Sequence, residues 1–518
     1  MRRAIVVAIG LGACGGTAPR ASWVETERHA HHGPTAQPLG TAAALPADLA
    51  NLDALAIDLL DEATTRAALA LTGDEAPTAK LALRAARLAH HRDDDEQARA
   101  DLARAATAAD EADARDALVA LAPMVARIAV EPAVIAVLLP MSGRYAAIGR
   151  ELAAAIQSAP ATGTKWVVID TKGELAGAEA AVASAAAKGA VAILGPVGER
   201  EAIAAARAAA IRGIPIALLA PADGADASAG VFRMVDSPAD EGRAIAQLAA
   251  GEGFPTVGVL APRDDVATDA ADAFAAEAAR LGIQVTAQGS YDPTHGDLEA
   301  DLKAFLNLNP ATNPRFRAHL RHTGTKGWQT FTPDIAYSLL YIPDRYDRAA
   351  LVAAYLPYYN VELRTTDFPD LGMLQRKHGG VMPQVVQLVG GAGWHHPTLG
   401  VRGGDALQGA LVVDTFAIDA GGAAAVSFAE AFQQRTGREP STAAAQAYDA
   451  ALVMTAARAR ATGPDAADRE VRRSMRSALA TAVLDDGACG PAQMGGDGEL
   501  HREPVVLEVM GDDLVLRP

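Results

Sequence analysis

The sequence predicts an α/β protein in which two doubly wound parallel sheets follow an all-α N-terminal domain. From Val134 onward, short apolar runs alternate with segments of helical pattern, which is typical of parallel sheets with crossover helices. Before that point, leucines recur at helical spacing among alanines. The 518 residues suffice for two to four domains. The net charge of -17 disfavours nucleic acid as a partner, because phosphate binding needs clustered Lys and Arg.

The N-terminus has the layout of a bacterial lipoprotein signal peptide. Two arginines form a charged n-region, and the apolar run at 4–13 is too short to span a bilayer. Ala13, a small residue, precedes Cys14 as a lipoprotein signal peptidase requires. The resemblance implies that residues 1–13 are removed and that lipid on Cys14 anchors an exported protein to a membrane. Gly15 in place of a retention Asp favours the outer membrane; an ordinary secretory signal is the alternative.

Residues 14–46 separate this signal from the first periodic apolar pattern. They mix Gly, Pro, Thr and Ala, so we predict a flexible tether whose histidines form a solvated cluster rather than a metal site. Cys489 has no partner within the chain if Cys14 carries lipid. The residues on either side of Cys489, 485–487 and 490–491, are typical of a turn, so we predict a free thiol in a loop.

The segment 47–130 is predicted to be a helical domain. Polar breaks at 72–74 and 91–95 separate short amphipathic stretches. Antiparallel pairs of such helices resemble tetratricopeptide-like (TPR-like) hairpins, which implies a concave face for a protein partner. A plain helical spacer is the alternative.

Nine apolar runs are predicted to be the strands of the α/β part. They lie at 135–139, 166–169, 190–194, 215–219, 257–260, 283–287, 335–342, 385–388 and 411–413. Two of them, 166–169 and 335–342, are continuously apolar, as expected of strands buried on both faces.

Five short motifs carry a resemblance to a known family. They are Leu138–Gly149 around a first strand-turn-helix, Asp170-Thr171 and Leu194-Gly195-Pro196 at strand ends, Phe232-Arg233 before a crossing helix, and Gln446–Ala450. In this order they resemble the type 1 periplasmic binding proteins, the family of the leucine, isoleucine and valine receptors. In the first motif, Ser142 is predicted to cap the helix that follows.

The resemblance implies a two-lobed domain over residues 134–518. One lobe would comprise about 134–238 plus 390–460, and the other 239–389. Three crossovers would join the lobes, which would close on a ligand by hinge motion.

The predicted ligand cleft departs from that of the amino-acid receptors. Those proteins hold the ligand carboxylate with a Ser after the Gly-Pro pair and with a Ser-Ala-Thr turn after the fourth strand. Here Glu199 follows the pair that begins at Gly195, and Asp223 lies in the turn. Two acids would repel a carboxylate. The predicted cleft residues are Gly195, Glu199, Asp223 and Trp394. The alternative is that the alignment is shifted by one residue and the receptor site is intact.

The domain order supports two functions. A tether, helical repeats and a binding-protein fold resemble the penicillin-binding-protein activators, lipoproteins that stimulate a cell-wall synthase by contact. Tyr341-Ile342-Pro343 and the glycine-rich stretch before Trp394 also look like that branch. The alternative is a solute-binding lipoprotein that delivers amino acids or related small molecules to an ABC permease.

A basic segment interrupts the second lobe at 307–333. Its cations include Arg315, Arg317 and Arg321, in an otherwise acidic protein. We predict that the segment projects from the lobe and contacts an acidic partner or an anionic cell-wall polymer; a solvated loop is the alternative.

Enzymatic motifs do not appear in the sequence. It contains no HExxH, GxSxG or Walker pattern. His395 and His396 are adjacent, so on a strand they would point to opposite faces and could not bind one metal ion together. We therefore predict a non-enzymatic protein without a cofactor or metal.

Overall fold

The structure is a computed structural model that describes residues 54–72, 78–91, 94–108, 130–294, 298–365, 370–380, 382–461 and 468–517, with residues 115, 118 and 119. The predicted signal peptide, Cys14 and the tether lie outside these residues. The chain divides into two compact units, Met1–Ala126 and Arg127–Pro518. Among the described residues, no helix is both long and apolar enough to cross a membrane.

The first unit is helical where it is described. Its helices are α1 (Ala54–Asp58), α2 (Glu62–Leu71), α3 (Thr78–His91) and α4 (Asp95–Thr107). Buried Leu81 and Leu102 pack among alanines, and Arg66 pairs with Asp101 at 3.2 Å to join α2 to α4. Helix formation is as predicted, whereas the TPR-like stacking stays a prediction.

A five-stranded parallel sheet forms the first lobe of the second unit. Its strands are β1 (Glu131–Leu139), β2 (Lys165–Asp170), β3 (Ala190–Leu194), β4 (Ile216–Leu218) and β5 (Val231–Arg233), in the order β2-β1-β3-β4-β5. Between them run α5 (Ala146–Ser158), α6 (Leu175–Ala187) and α7 (Glu199–Ile211). Successive residues of β1 enter two different cores: Ile135 and Val137 face one, Ala136 and Leu138 the other. Helices therefore cover both faces of the sheet.

The second lobe begins after β5. Its elements are α8 (Pro238–Gly251), β6 (Thr256–Pro262), α9 (Asp265–Arg280), β7 (Gln284–Tyr291), α10 (Glu299–Phe305), α11 (Pro314–Thr323), β8 (Leu339–Tyr341), α12 (Tyr346–Tyr358), β9 (Glu362–Leu363), α13 (Leu371–Lys377), β10 (Val385–Gly390), α14 (Leu399–Gly403) and β11 (Leu411–Asp414).

The chain then returns to the first lobe and crosses once more. The returning elements are α15 (Gly422–Thr436), α16 (Thr442–Arg460), α17 (Asp468–Ala480), β12 (Val483–Leu484), β13 (Ala492–Met494) and β14 (Leu500–Arg502), followed in the second lobe by β15 (Val505–Met510) and β16 (Asp513–Leu516). The second sheet has the order β16-β15-β11-β10-β8-β6-β7, with β9 beside β10. Only β15 runs opposite to the other strands, so its pairs with β11 and β16 are antiparallel. The predicted α/β class with two parallel sheets is confirmed.

The predicted lobe boundary at residue 390 is wrong. β10 ends at Gly390, and β11 pairs with it in the same sheet, so residues 390–414 belong to the second lobe. The return comes after Asp414, because Phe416 and Phe428 pack in the first-lobe core. The strand pattern alone does not show which sheet a short strand joins.

Two strands differ from the expectation of burial on both faces. β2 lies at the edge of its sheet, and its side chains alternate between exposed and half-buried. In the run 335–342 only Leu339–Tyr341 forms a strand. The apolar runs therefore predicted that strands occur here, but they did not predict whether a strand is central or at the edge of its sheet, nor how long it is.

The basic segment 307–333 is folded onto the second lobe. Asn313 caps α11 by accepting the Phe316 N–H at 3.0 Å, and the Phe316 ring packs 4.8 Å from the Phe331 ring. Both rings are buried in the second-lobe core. Arg315 pairs with Asp334 at 2.9 Å, whereas Arg317 is exposed. One side of the segment is therefore anchored, in contrast to the predicted projection.

Candidate functional site

The carboxyl ends of the parallel strands meet the connections between the lobes. The chain leaves the first lobe after β5, leaves the second after β11 and enters β15 from the same edge. In open α/β sheets, ligands bind outside the carboxyl ends of the strands. The candidate site is therefore the cleft between the two lobes, lined by the residues that follow these strands.

Asp170, at the carboxyl end of β2, organises the first-lobe edge. Its carboxylate accepts the backbone N–H groups of Met141 at 2.8 Å and Lys172 at 2.8 Å, and the Ser142 hydroxyl at 2.6 Å. The Ser142 hydrogen bond is the largest cause of the lowered pKa of Asp170. Ser142 thus fixes the turn after β1 instead of capping α5, which has no side-chain cap.

Three predicted cleft residues lie along the same edge. Gly195 follows β3 directly and has φ +98°. A Cβ there would lie 2.2 Å from the Leu138 oxygen, so glycine is required by the close approach of β1 and β3. Glu199 begins α7 four residues later, and Asp223 follows the neighbouring strand β4. Both carboxylates are exposed. They give this edge of the first lobe a negative charge.

Trp394 does not line the cleft. Its side chain is fully buried in the second-lobe core, where its indole N–H donates to the Ile342 carbonyl at 3.1 Å. The following two histidines separate: the His395 Nδ1 lies 2.6 Å from the Asp414 carboxylate, and the His396 ring stacks on Tyr346 at 3.7 Å. The two side chains therefore lie in different surroundings, after a 3-10 turn (Ala392–Trp394) rather than on a strand.

Polar side chains from both lobes meet at the crossovers. Asp236, between β5 and α8, accepts the Thr415 hydroxyl at 3.0 Å and the Gln446 amide at 2.6 Å. The same amide lies 2.9 Å from the Thr415 oxygen. Burial is the largest cause of the raised pKa of Asp236, and Arg502 opposes it. One α16 side chain therefore connects two crossovers.

Glu241 is a second acid near this hinge whose pKa is raised. On α8, it accepts the Tyr341 hydroxyl at 2.7 Å and the Ala392 N–H at 2.9 Å. Desolvation by burial raises its pKa to about 6, despite these two hydrogen bonds. A Cβ on Gly391 would lie 1.7 Å from this carboxyl, so the glycine leaves the room that the acid occupies.

A second buried acid supports the cleft from the second lobe. Asp344, after β8, is held by the Arg348 guanidinium, with the Nη2 and Oδ1 atoms 2.6 Å apart, and it accepts the Tyr291 hydroxyl. Burial is the largest cause of the raised pKa of Tyr291, and the Asp344 charge adds to it. The sequence did not indicate Glu241 or Asp344, because an acid on a helix or after a strand is ordinarily expected to be exposed to solvent.

One group among the described residues has ligand atoms close enough for a metal ion. It consists of Asp497, Glu499 and His501, whose candidate ligand atoms lie within 4.8 Å of one another. Glu499 already pairs with Arg233, and His501 with Asp497 at 3.0 Å. A cation would have to displace these ion pairs, so the group fits a turn stabilised by charge.

The model of the family described as periplasmic binding protein matches residues 132–312 and 371–511, more than half of the chain. The chain belongs to the periplasmic binding protein family. Proteins of this family are periplasmic, bind solutes between their lobes and are not typically enzymes. Residues 313–370, which include most of the basic segment, lie outside the matched ranges.

Solved structures share the fold. A protein described as a branched-chain amino acid ABC transporter from Rhodospirillum rubrum has a TM-score of 0.57 and 20% identity, covering 74% of this chain and 99% of its own. An ABC transporter substrate-binding protein from Desulfitobacterium hafniense has a TM-score of 0.51 and 18% identity, and the match covers 74% of this chain and 99% of that protein. A leucine binding protein from Thermotoga maritima has a TM-score of 0.50 and 23% identity, and the match covers 74% of this chain and 97% of that protein. No curated protein sequence matches.

Proposed function

We propose that the protein is a solute-binding component of an ABC-type uptake system and takes a small molecule between its lobes. The observation that carries this is the position of both carboxyl edges beside the crossovers, which is where a hinged two-lobed protein binds ligand. The solved structures that share the fold include ABC transporter substrate-binding proteins. They favour this function over the activator.

The ligand presents a cationic or neutral polar group to the first lobe. Glu199 and Asp223 are exposed at the ends of adjacent strands, where they would repel a free carboxylate. The carboxylate of Asp170, also at this edge, accepts four local hydrogen bonds. Basic amino acids and amines therefore fit this edge better than leucine or an aromatic acid.

Thermal unfolding with a panel of millimolar solutes tests the proposal. A ligand at 100 times its dissociation constant stabilises by about 2.7 kcal/mol, a shift of a few degrees. We expect lysine, arginine or a diamine to raise the midpoint, and the double substitution Glu199→Gln with Asp223→Asn to abolish the shift. A shift with leucine alone would reverse the assigned ligand class, and no shift with any solute would count against uptake.

Contact with a cell-wall synthase is the second candidate function. The helical first unit, which the matched family region does not include, supports it, since stacked helical pairs present surfaces to proteins. Pull-down of envelope proteins by the full chain tests this. Capture of a synthase that disappears when residues 54–108 are replaced would favour the activator function, whereas capture of a permease would favour uptake.

Lipid attachment at Cys14 belongs to the same proposal. The support is the order of charge, apolar run, small residue and cysteine at the N-terminus. Mass spectrometry of the protein purified from membranes should find a lipidated Cys14 at the N-terminus. A variant in which a secretory signal cleaved by the general signal peptidase replaces residues 1–14 should be released into the soluble periplasm, and an unmodified residue 14 would refute the anchor.

A further inference from the structure

A cavity of about 160 Å³ lies beside the crossovers that join the lobes. One wall is the side of α8 on which Asp240, Ala244 and Gln247 recur at helical spacing. The opposite wall is formed by residues 499–502 at β14. Leu500 of this wall packs in the first-lobe core, whereas the buried side of α8 belongs to a core of the second lobe. The cavity therefore touches both lobes.

Two of the arginines that line the cavity are buried. The side chains of Arg233 and Arg502 are 4% and 0% exposed. The Nη2 atom of Arg233 donates to the Asp240 carboxylate of α8 at 3.0 Å and also pairs with Glu499 on the opposite wall. The Nη2 atom of Arg502 donates at 2.7 Å to the carbonyl of Met234, the residue that follows Arg233. Both guanidinium groups are therefore fixed where the two walls meet.

These two guanidinium groups have hydrogen-bond donors to spare. In the part of the chain that the structure describes, neither the Nε of Arg233 nor the Nε of Arg502 has an acceptor. A buried donor without an acceptor is destabilising, because it has given up its hydrogen bond to water. A ligand that brings acceptor atoms into the cavity would remove this cost.

The carboxylates in the lining are already engaged. Asp240 accepts the Ser237 N–H at 2.8 Å and the Ser237 hydroxyl at 2.7 Å, and it pairs with Arg243. Asp236 accepts the Gln446 amide at 2.6 Å. Three arginines and three acids line the cavity, so their formal charges cancel although the whole chain carries -17. The unmet groups are donors, and the complementary ligand is an acceptor rather than a cation.

We propose that this cavity binds a small oxyanion, either inorganic phosphate or a short carboxylate, through Arg233, Arg502 and the half-exposed Arg243. Guanidinium groups donate charge-assisted hydrogen bonds to the oxygens of such ions. The volume is below the roughly 300–1,000 Å³ of pockets for drug-sized molecules, so the ligand is small. Since Glu199 and Asp223 do not line the cavity, the proposal does not depend on the solute that the cleft binds.

Calorimetric titration of the full-length protein tests the site. The probes are inorganic phosphate and acetate, with chloride as the anion without oxygen, all at one ionic strength. Saturable binding of phosphate or of acetate, with chloride binding more weakly, is the expected result and identifies the kind of oxyanion. Absence of saturable binding by both oxyanions, or chloride binding as tightly as they do, would overturn the proposal.

A cavity-filling variant tests where the oxyanion binds. Ala244 is half-buried in the α8 wall, so Ala244→Leu places a larger side chain in the cavity without removing a charge. This variant should lose the heat of oxyanion binding. Ala276→Leu, on the exposed side of α9, is the matched control and should bind as the parent does. Equal binding by both variants, or equal loss in both, would contradict binding in the cavity.

A charge variant tests how the oxyanion is recognised. Arg243 is 45% exposed at the edge of the cavity, so its replacement leaves the buried ion pairs in place. Arg243→Gln should weaken oxyanion binding about 10-fold, because one charge-assisted hydrogen bond is lost. Arg207→Gln, exposed on α7, changes the net charge equally and should leave the affinity unchanged. Parental affinity in Arg243→Gln would overturn recognition by this lining.

Hydrogen exchange of the full-length protein locates the bound ion independently of the variants. With the oxyanion that binds in the titration, backbone amides in 239–248 and 499–502 should exchange more slowly, because the ion connects α8 to β14. Amides in 195–199, at the first-lobe edge of the cleft, should exchange at an unchanged rate. Protection of 195–199 in place of the cavity walls would put the ion in the cleft and overturn the proposal.

Discussion

At the scale of single residues, the first-lobe edge of the cleft depends on glycine and carboxylate positions that tolerate little change. Gly195 combines a positive φ with a backbone oxygen 2.2 Å from where a Cβ would lie. The Asp170 carboxylate accepts four hydrogen bonds that set the turns after β1 and β2. Both residues shape backbone that a ligand would meet, so their first effect is on stability rather than on selectivity.

Gly195→Ala should destabilise the protein by about 3 kcal/mol or more, because a backbone oxygen cannot move aside as a side chain can. Gly213→Ala is the matched control: its φ is +60°, but nothing lies within 4 Å of the added Cβ. The control should cost about 1 kcal/mol from backbone strain alone. Urea unfolding of both variants measures the difference, and equal losses would contradict the close-approach argument.

Glu241 predicts a pH dependence of stability. Its folded pKa of about 6 exceeds the ordinary 4.5, so between these values the folded state binds more protons than the unfolded state. The stability associated with the protonated carboxyl is complete below pH 4.5 and is lost as the pH rises through 6. Across pH 4 to 7, wild type should lose up to about 2 kcal/mol more free energy of unfolding than Glu241→Gln.

Glu277 supplies a control of opposite sign. Its pKa is lowered to about 2, chiefly by the hydrogen bond from Arg280, so its contribution is complete above pH 4.5 and is lost as the pH falls toward 2. Glu277→Gln should therefore change the stability profile only on the acid side. If Glu241→Gln and wild type have parallel profiles from pH 4 to 7, the carboxyl is not held protonated by burial.

At the scale of elements, the basic segment is a folded helix and turn rather than a projecting loop. Its apolar residues alternate with cations so that Phe316 enters the core while Arg317 stays in water. A charge count over the sequence shows the cations but not the ring that holds them. Trp394 likewise shows that sequence pattern does not reveal burial. Its glycine-rich surroundings indicated a cleft loop, but its side chain is buried in the core and its indole N–H donates to the Ile342 carbonyl.

Phe316→Ala should destabilise the second lobe by about 3–5 kcal/mol, as for other buried aromatic truncations. The variant should also expose the segment 315–326 to trypsin. Arg317→Ala, one position further on the exposed side, should stay within about 0.5 kcal/mol of wild type. A Phe316→Ala protein as stable as the parent would show that the segment is not part of the core.

At the scale of the whole second unit, the crossovers share hydrogen-bonding partners. Gln446 reaches from α16 to Asp236 and Thr415, which lie on two separate crossovers. Relative movement of the lobes must change the backbone near these residues, since a hinge concentrates rotation in a few connecting positions. The network therefore sets how readily the cleft opens.

Gln446→Ala should lower stability by about 1–2 kcal/mol and broaden the range of lobe separations, because it removes two hydrogen bonds at the hinge. Small-angle scattering of the second unit measures the radius of gyration, and urea unfolding measures the stability. Gln433→Ala, on the exposed side of α15, should leave both unchanged. An unchanged scattering profile for Gln446→Ala would mean that this side chain does not restrain the hinge.

The sequence by itself determined the class of the fold and the positions of most central strands. Their apolar runs are long enough to be recognised wherever they pair, and motifs such as Leu194-Gly195-Pro196 occur in family order. Short or solvent-facing strands, including β5, β9 and β12 to β16, carried too weak a pattern to be predicted.

Only the tertiary structure decided the lobe boundary, the burial of Trp394 and the partners of Glu241. Each depends on contacts between residues far apart in the chain: Glu241 bonds to Tyr341 and to Ala392, across 100 and 151 positions. The spacing of apolar residues in the sequence shows whether a segment is a helix or a strand, because each kind of element has its own repeat. It does not record which surface that element meets, and desolvation and hydrogen bonding at that surface decide the chemistry of the cleft.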